Sequence, residues 1–354
     1  MSRALGLLLG FAADRVLGDP RRFHPVAGFG QLAARAETRL YDDTRAAGTA
    51  YAVLLIGSTA AAGVVAERLT RDRPIARTLV TAVATWAVLG GRSLEREAEV
   101  MAGFLEEKDI AGARARLGHL CSRDATDLDV DELARATVES VAENTSDATV
   151  APLFWGGVLG IPGLIGYRAA NTLDAMVGYR SDRYRNFGWA PARFDDLANL
   201  VPARLCALLT GFASGRPGET WRIWRRDAPK HPSPNAGPVE AAFAGALDLR
   251  LGGTNTYGDE VEDRGTLGDG IPPAVADIRR TAALARRVSY AAAATAAILA
   301  LRPKTRGAGP SLLRTQGIAT AAILALRPKT RGAGPRLLRT QGIGRGTRTE
   351  SRCI

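Results

Sequence analysis

Cysteine and histidine are scarce in this chain, three of each among 354 residues, and that scarcity removes several kinds of chemistry at once. Cys121, Cys206 and Cys353 lie far apart with no CxxC pair, which argues against a disulfide framework and a zinc site and points to a reducing compartment. No GxxxxGK[ST] loop and no GxGxxG after a strand occurs, so no familiar nucleotide fold is signalled. A GxSxG elbow and an HExxH helix are missing too. Sustained alternation of apolar and polar residues is also absent, which leaves a mostly α chain as the reading.

Unbalanced charge is missing from most of the length. The net charge is +11, but residues 302–354 hold twelve of the 47 basic residues and only one acid, Glu350, so residues 1–301 carry 35 of each sign. With no aromatics interleaved among the tail's basic residues, nucleic acid is not an expected partner. A basic tail after an apolar segment fits cytoplasmic placement beside anionic lipid.

What the chain does have is apolar runs. Composition alone, 46% apolar with mean hydropathy near zero, suits a soluble globular protein. A bilayer crossing, however, takes about 20 apolar residues, and 21 uncharged residues separate Arg45 from Glu67. Another 20, Ala148 to Tyr167, follow Asp147 with Pro152 and Pro162 inside. Thr78–Gly91 and Val288–Leu301 are shorter, and a buried core helix is the alternative for each. The start, Met1–Ala13, has no small-x-small cleavage site after it, so a short first membrane segment is expected rather than a signal peptide. The sequence predicts three to five spans in a multi-pass integral membrane protein. Residues 92–137 differ: Glu95, Glu97, Glu99, Glu106, Glu107 and Asp109 alternate with apolar residues at helical spacing, which predicts water-exposed amphipathic helices. Leu105–Leu120 and Asp131–Val141 read as an antiparallel pair with Asp124–Asp127 in the turn. At the C-terminus Ala294–Ile318 and Ala319–Ile343 match over 25 residues except Ser311 against Arg336. Near-identity points to a recent tandem duplication rather than a structural repeat. Residues 1–301 are therefore taken as the working domain and 302–354 as a basic, disordered tail.

Five polar words lie at the edges of apolar runs. Asp14–Pro25 brings two carboxylates, a Gly-Asp-Pro turn and His24 together; Mg²⁺ binding and proton transfer are possible roles, and a helix stop with a solvated turn explains it as well. In Glu139–Asp147, Glu139, Glu143 and Asp147 fall four apart on one helix face beside Asn144, an arrangement that repels itself unless a cation sits between. Asn171 and Asp174 are one turn apart, as are Asp195 and Asn199, with Asp196 alongside and Arg204 entering the next apolar run; capping is the plainer account of each pair. In Asp227–Glu240, prolines around His231 and Ser233 stiffen a loop that leads to Asn235, although an exposed turn histidine would look the same. Leu251–Gly258 reads as a turn.

Taken in order, these words resemble the CobD/CbiB family, the adenosylcobinamide-phosphate synthases of cobalamin biosynthesis. GDP-x-x-x-HPV at Gly18–Val26, ESVAENTSD at Glu139–Asp147, APLFW at Ala151–Trp155, NTLDAMVGYR at Asn171–Arg180 and FG at Phe187–Gly188 carry the resemblance. DDLANLVPARL at Asp195–Leu205, HPSPNAG at His231–Gly237 and RLGGTNTYG at Arg250–Gly258 complete it over about residues 1–300. The family pattern has Gly where Ala148 stands and Trp-Pro-Glu where Pro238-Val239-Glu240 stands, and the duplicated tail has no counterpart.

The resemblance implies a multi-pass cell-membrane ligase that uses ATP and Mg²⁺ to join aminopropanol, or its O-phosphate, to a propionate of the corrinoid adenosylcobyric acid. A carboxylate is a poor acyl donor, so activation as an acyl phosphate is the natural expectation. Under it, His24, His231 and Glu143 are candidate catalytic residues. Asn144, Asn171, Arg180, Asn199, Arg204, Ser233 and Asn235 would bind substrate, with the arginines suited to phosphate. Glu139, Asp147, Asp174, Asp195 and Asp196 would hold the metal. Other cobalamin-assembly enzymes are conceivable partners. A transporter would also place acids and amides at segment edges, but inverted repeats are not visible. A soluble helical binding protein is the other alternative.

Overall fold

The computed structural model describes residues 1–20, 24–179, 181–257 and 260–301. Four runs among them are long and apolar enough to cross a membrane: Arg45–Leu69, Pro74–Glu106, Trp189–Ser214 and Val275–Leu301. The chain is a mostly α membrane protein.

In order the helices are α1 (Ser2–Leu17), α2 (Pro25–Leu40), α3 (Arg45–Leu69), α4 (Pro74–Val88), α5 (Gly91–Glu106), α6 (Ile110–Leu117) and α7 (Val130–Thr145). A π-helical turn, Ser146–Val150, leads into α8 (Ala151–Leu159) and α9 (Ile161–Val177). Then come α10 (Trp189–Ser214), α11 (Pro217–Asp227), α12 (Ala236–Leu247), strands β1 (Leu251–Tyr257) and β2 (Glu260–Leu267), and α13 (Val275–Leu301). Local chemistry sets the ends. Thr44 caps α3 through the Ala47 N–H, and Asp129 and Glu132 form a reciprocal capping box on α7.

The helices pack as membrane helices do. A Cβ on Gly6 would meet Thr81 Cβ at 2.6 Å and one on Gly10 would meet Thr85 Cβ at 2.4 Å, so these glycines let α1 lie directly against α4. Large apolar side chains remain exposed on the long helices: Val53, Leu54 and Val65 on α3, Ile75, Leu79 and Val83 on α4, and Ile298 on α13. On α10, Phe194, Leu197, Val201, Leu208 and Phe212 recur at helical spacing as one outward stripe. A surface of that extent is unfavourable in water and natural against acyl chains.

Several expectations are revised. The Ala148–Tyr167 run is not one crossing, because the π turn and the break at Gly160 (φ 77°) divide it among three short elements. α1 spans only 16 residues, and α10, whose first turns carry Asp195 and Asp196, is the long apolar helix that the sequence pattern obscured. Residues 92–137 are not simply water-exposed: Glu95 and Glu97 are buried, paired with Arg15 at 2.5 Å and Arg116 at 2.6 Å. The chain also turns at Lys108, so Leu105–Leu120 is not one helix. Leu251–Tyr257 is a strand, paired antiparallel with β2 through a bulge after Gly252. Its anchor is tertiary, since the Gly252 N–H donates to Glu139 at 2.8 Å. The repeat beyond Leu301 lies outside the described residues.

Candidate active site

Four stretches, far apart in the chain, meet around a cavity of about 110 Å³. The last turn of α7 contributes Glu143, the π turn Ser146 and Asp147, and α9 Asp174. α10 contributes Asp195, Asp196 and Asn199, and the loop entering α12 contributes Ser233 and Asn235. A π turn adds a residue to the helical ladder and so re-aims the side chains beyond it.

Amides tie the walls together. Asn171 Nδ2 donates to Asp147 at 3.2 Å and to Asp195 at 3.5 Å, bridging the π turn to α10. Asn199 Nδ2 donates to the other Asp195 oxygen at 2.9 Å and its Oδ1 accepts from the Tyr167 hydroxyl at 2.9 Å. Arg168 reaches Asn171 Oδ1 at 3.4 Å. On the far wall Asn235 donates to the Asp196 carbonyl at 2.8 Å and accepts from Arg204 at 3.2 Å. Five carboxylates thus share one small space. Asp196 has Arg193 at 3.7 Å, whereas Glu143 and Asp174 have no hydrogen bond or salt bridge to a described residue. Like charges so confined need a cation or protons among them.

Other candidates fall elsewhere. Glu139 is occupied by Arg123 at 2.6 Å, Arg135 at 3.5 Å and the Gly252 N–H, which removes it from the metal set. Asn144 bonds back to the Ser140 carbonyl at 2.9 Å and is not a cavity residue. His24 caps α2, its Nδ1 accepting the Val26 N–H at 3.2 Å, with Nε2 3.9 Å from Asp19. His231 Nδ1 accepts the Ser233 N–H at 3.0 Å. Burial and the nearby Arg264 push the His231 pKa down to about 4, so the ring is neutral. With Nδ1 accepting, the proton of the neutral ring belongs on Nε2, which makes His231 a donor rather than the expected base. Arg180 lies outside the described residues. Tyr167, Arg168 and Ser146 are the residues sequence reasoning passed over; the signal was Tyr167 standing one turn before Asn171.

A larger cavity, about 620 Å³, lies between Gly18–Pro20 and the start of α5. Arg116 there is paired with Glu97, while the Arg92 and Arg96 side chains have no salt bridge among the described residues.

Fold and site together define a helical membrane protein with a carboxylate- and amide-lined cavity between its helices. The family described as CobD/Cbib protein matches residues 7–285. The chain is 51% identical over 306 residues to the cobalamin biosynthesis protein CobD of Mycobacterium tuberculosis, spanning 85% of this chain and 97% of that one. It is 45% identical over 293 residues to CobD of Chromobacterium violaceum, spanning 81% and 93%. With CobD of Rhodobacter capsulatus it shares 41% over 299 residues, spanning 81% and 94%. No solved structure matches. This chain belongs to the CobD/Cbib protein family.

Proposed function

We propose that this chain takes part in cobalamin biosynthesis as a cell-membrane ligase that joins aminopropanol, or its O-phosphate, to a propionate of adenosylcobyric acid, giving an adenosylcobinamide. The observation that carries the reading, beside family membership, is the fit between the small cavity and a small amine. An aliphatic amine is a cation at neutral pH, and five carboxylates around about 110 Å³ suit a three-carbon ammonium arm. Glu143, free of other partners among the described residues, is the group to take the proton that nitrogen must lose before it attacks an acyl carbon. Ser233, Asn199 and Asn235 offer hydrogen bonds to the hydroxyl. Arg204, bonded to Asn235, offers a cation to a phosphate.

A carboxylate does not acylate an amine unaided, and ATP, when bound, supplies the activation. A nucleotide does not fit in about 110 Å³, whereas the 620 Å³ cavity has the size; Arg92 and Arg96 would face its phosphates there, in a lining that also holds Asp19, Glu97 and Glu99. Asp147, Asp174 and Asp196 are the hard oxygen donors that Mg²⁺ prefers. Among the described residues no group of three His, Cys, Asp or Glu side chains is arranged to hold a metal ion, so substrate phosphates would have to supply most of its ligands.

The test is growth of a cobalamin-auxotrophic bacterium that lacks this ligation step. Rescue on cobyric acid by the wild-type chain, lost in Glu143→Ala, supports the reading. A membrane-inserted, well-expressed chain that fails on cobyric acid while cobinamide restores growth overturns it.

A further inference from the structure

Behind the loop that carries Ser233 and Asn235 sit two buried side chains with no part in the chemistry above. His231 is 6% exposed and Glu240, on α12, is fully buried. Glu240 Oε1 lies 3.6 Å from His231 Nε2 and 3.4 Å from an Arg264 guanidinium nitrogen, while Glu240 Oε2 and His231 Nε2 itself have no hydrogen-bond partner among the described residues. The far edge of the imidazole holds the loop, Nδ1 accepting the Ser233 N–H at 3.0 Å. Ser233 Oγ in turn accepts the N–H groups of Asn235 at 3.3 Å and Ala236 at 3.1 Å. Asn235 then reaches the Asp196 carbonyl at 2.8 Å on the cavity wall. A continuous chain of hydrogen bonds therefore runs from His231 to the cavity, with the Glu240 carboxyl 3.6 Å behind the ring.

The loop has little room to relax. A Cβ on Gly237 would meet the Ala228 carbonyl at 2.6 Å and His231 Cβ at 2.8 Å, so the segment is folded tightly on itself. A buried carboxyl with an unpartnered oxygen is unfavourable and calls for a compensating role. We propose that His231 and Glu240 are positioning residues: Glu240 orients the imidazole, the imidazole fixes the turn, and the turn delivers Ser233 and Asn235 to the acidic cavity. The role of Nδ1 is that of an acceptor for a backbone N–H two residues on, which an asparagine side-chain oxygen also fills.

The proposal rests on the ligase reading only for its turnover readout. Purified full-length wild type, H231N, H231L, E240Q and E240L are compared by amide hydrogen exchange across residues 231–237 and by conversion of cobyric acid with aminopropanol or its phosphate. H231N and E240Q are expected to keep slow exchange and a kcat within about threefold of wild type. H231L and E240L are expected to exchange faster and to raise KM for the amine about tenfold or more, with a smaller change in kcat. If H231N abolishes turnover while the segment stays protected, the ring itself handles the proton and the proposal fails. If H231L leaves protection and KM unchanged, it fails as well. Should the wild type convert neither donor, the ligase reading falls separately, and the exchange comparison alone decides this proposal.

Discussion

The carboxylates of two regions contrast sharply in their company. Asp227, at the end of α11, receives Arg226 at 2.6 and 2.8 Å, Lys230 at 2.6 Å and the Gly268 N–H at 2.9 Å. Asp269 receives Arg222 at 2.8 Å and Arg226 at 2.6 Å. Against the burial that would raise it, the Arg226 and Lys230 hydrogen bonds hold the Asp227 carboxyl well below the usual range. Those from Arg226 and Arg222 bring Asp269 down to about 2. In the cavity, Asp147 and Asp195 receive only amide donors, and the Glu143 and Asp174 carboxylates have no such partner among the described residues. Paired charge fastens α11 to the segment after β2, and charge left unpaired is available to a ligand.

The strongest way to break that contrast is to neutralise the cavity. Glu143→Gln and Asp174→Asn are each expected to lower turnover by a factor on the order of 100 or more. The same variants should melt slightly higher in detergent, because removing one of several crowded like charges relieves repulsion. Asp227→Asn should do the reverse. It leaves Arg226 and Lys230 without their buried partner, costing about 3 kcal/mol of stability, with turnover per folded molecule unchanged. Thermal melts paired with activity per active site distinguish the two patterns.

A third, smaller effect follows from His231, which faces Glu240, Arg264, Glu262 and Glu139. The unfolded imidazole binds a proton below about pH 6.5, whereas the buried ring resists until about pH 4. Its contribution is therefore full above pH 6.5 and is lost as pH falls through that window, roughly 2 kcal/mol between pH 7.5 and pH 5. H231N should remove this component, visible as a flatter dependence of melting temperature on pH. The smallest expected effect is that of deleting Ala319–Ile343: insertion into membranes and turnover should stay as they are. A soluble or inactive truncation would show that the second copy has become part of the working protein.

The cavity was legible in the sequence to the extent that its residues sit one turn apart on otherwise apolar helices. Such spacing fixes a shared side, and Asp195 with Asn199, or Asn171 with Asp174, then needs only helix packing to meet. The same spacing misled at Glu139 and Asn144, since an internal ion pair with Arg123 and a bond back to Ser140 use that face as well. The helical body was readable from its apolar runs. The hairpin was not, because Thr254-Asn255-Thr256 is polar at both parities and β1 is held by Glu139 and Arg135, contacts made by distant chain. Buried Glu95 and Glu97 were likewise read as solvated, because their partners, Arg15 and Arg116, are identified only by the fold.

α10 presents Asp195 and Asn199 to the cavity and Leu197, Val201, Leu208 and Phe212 outward. One helix, about 10 Å across, is then all that separates acyl chains from the polar wall. Lateral pressure in the bilayer bears on the geometry of that wall directly, with no intervening layer to absorb it. Turnover should accordingly vary with acyl-chain length and order, and a preparation silent in micelles should be returned to vesicles before its chemistry is judged.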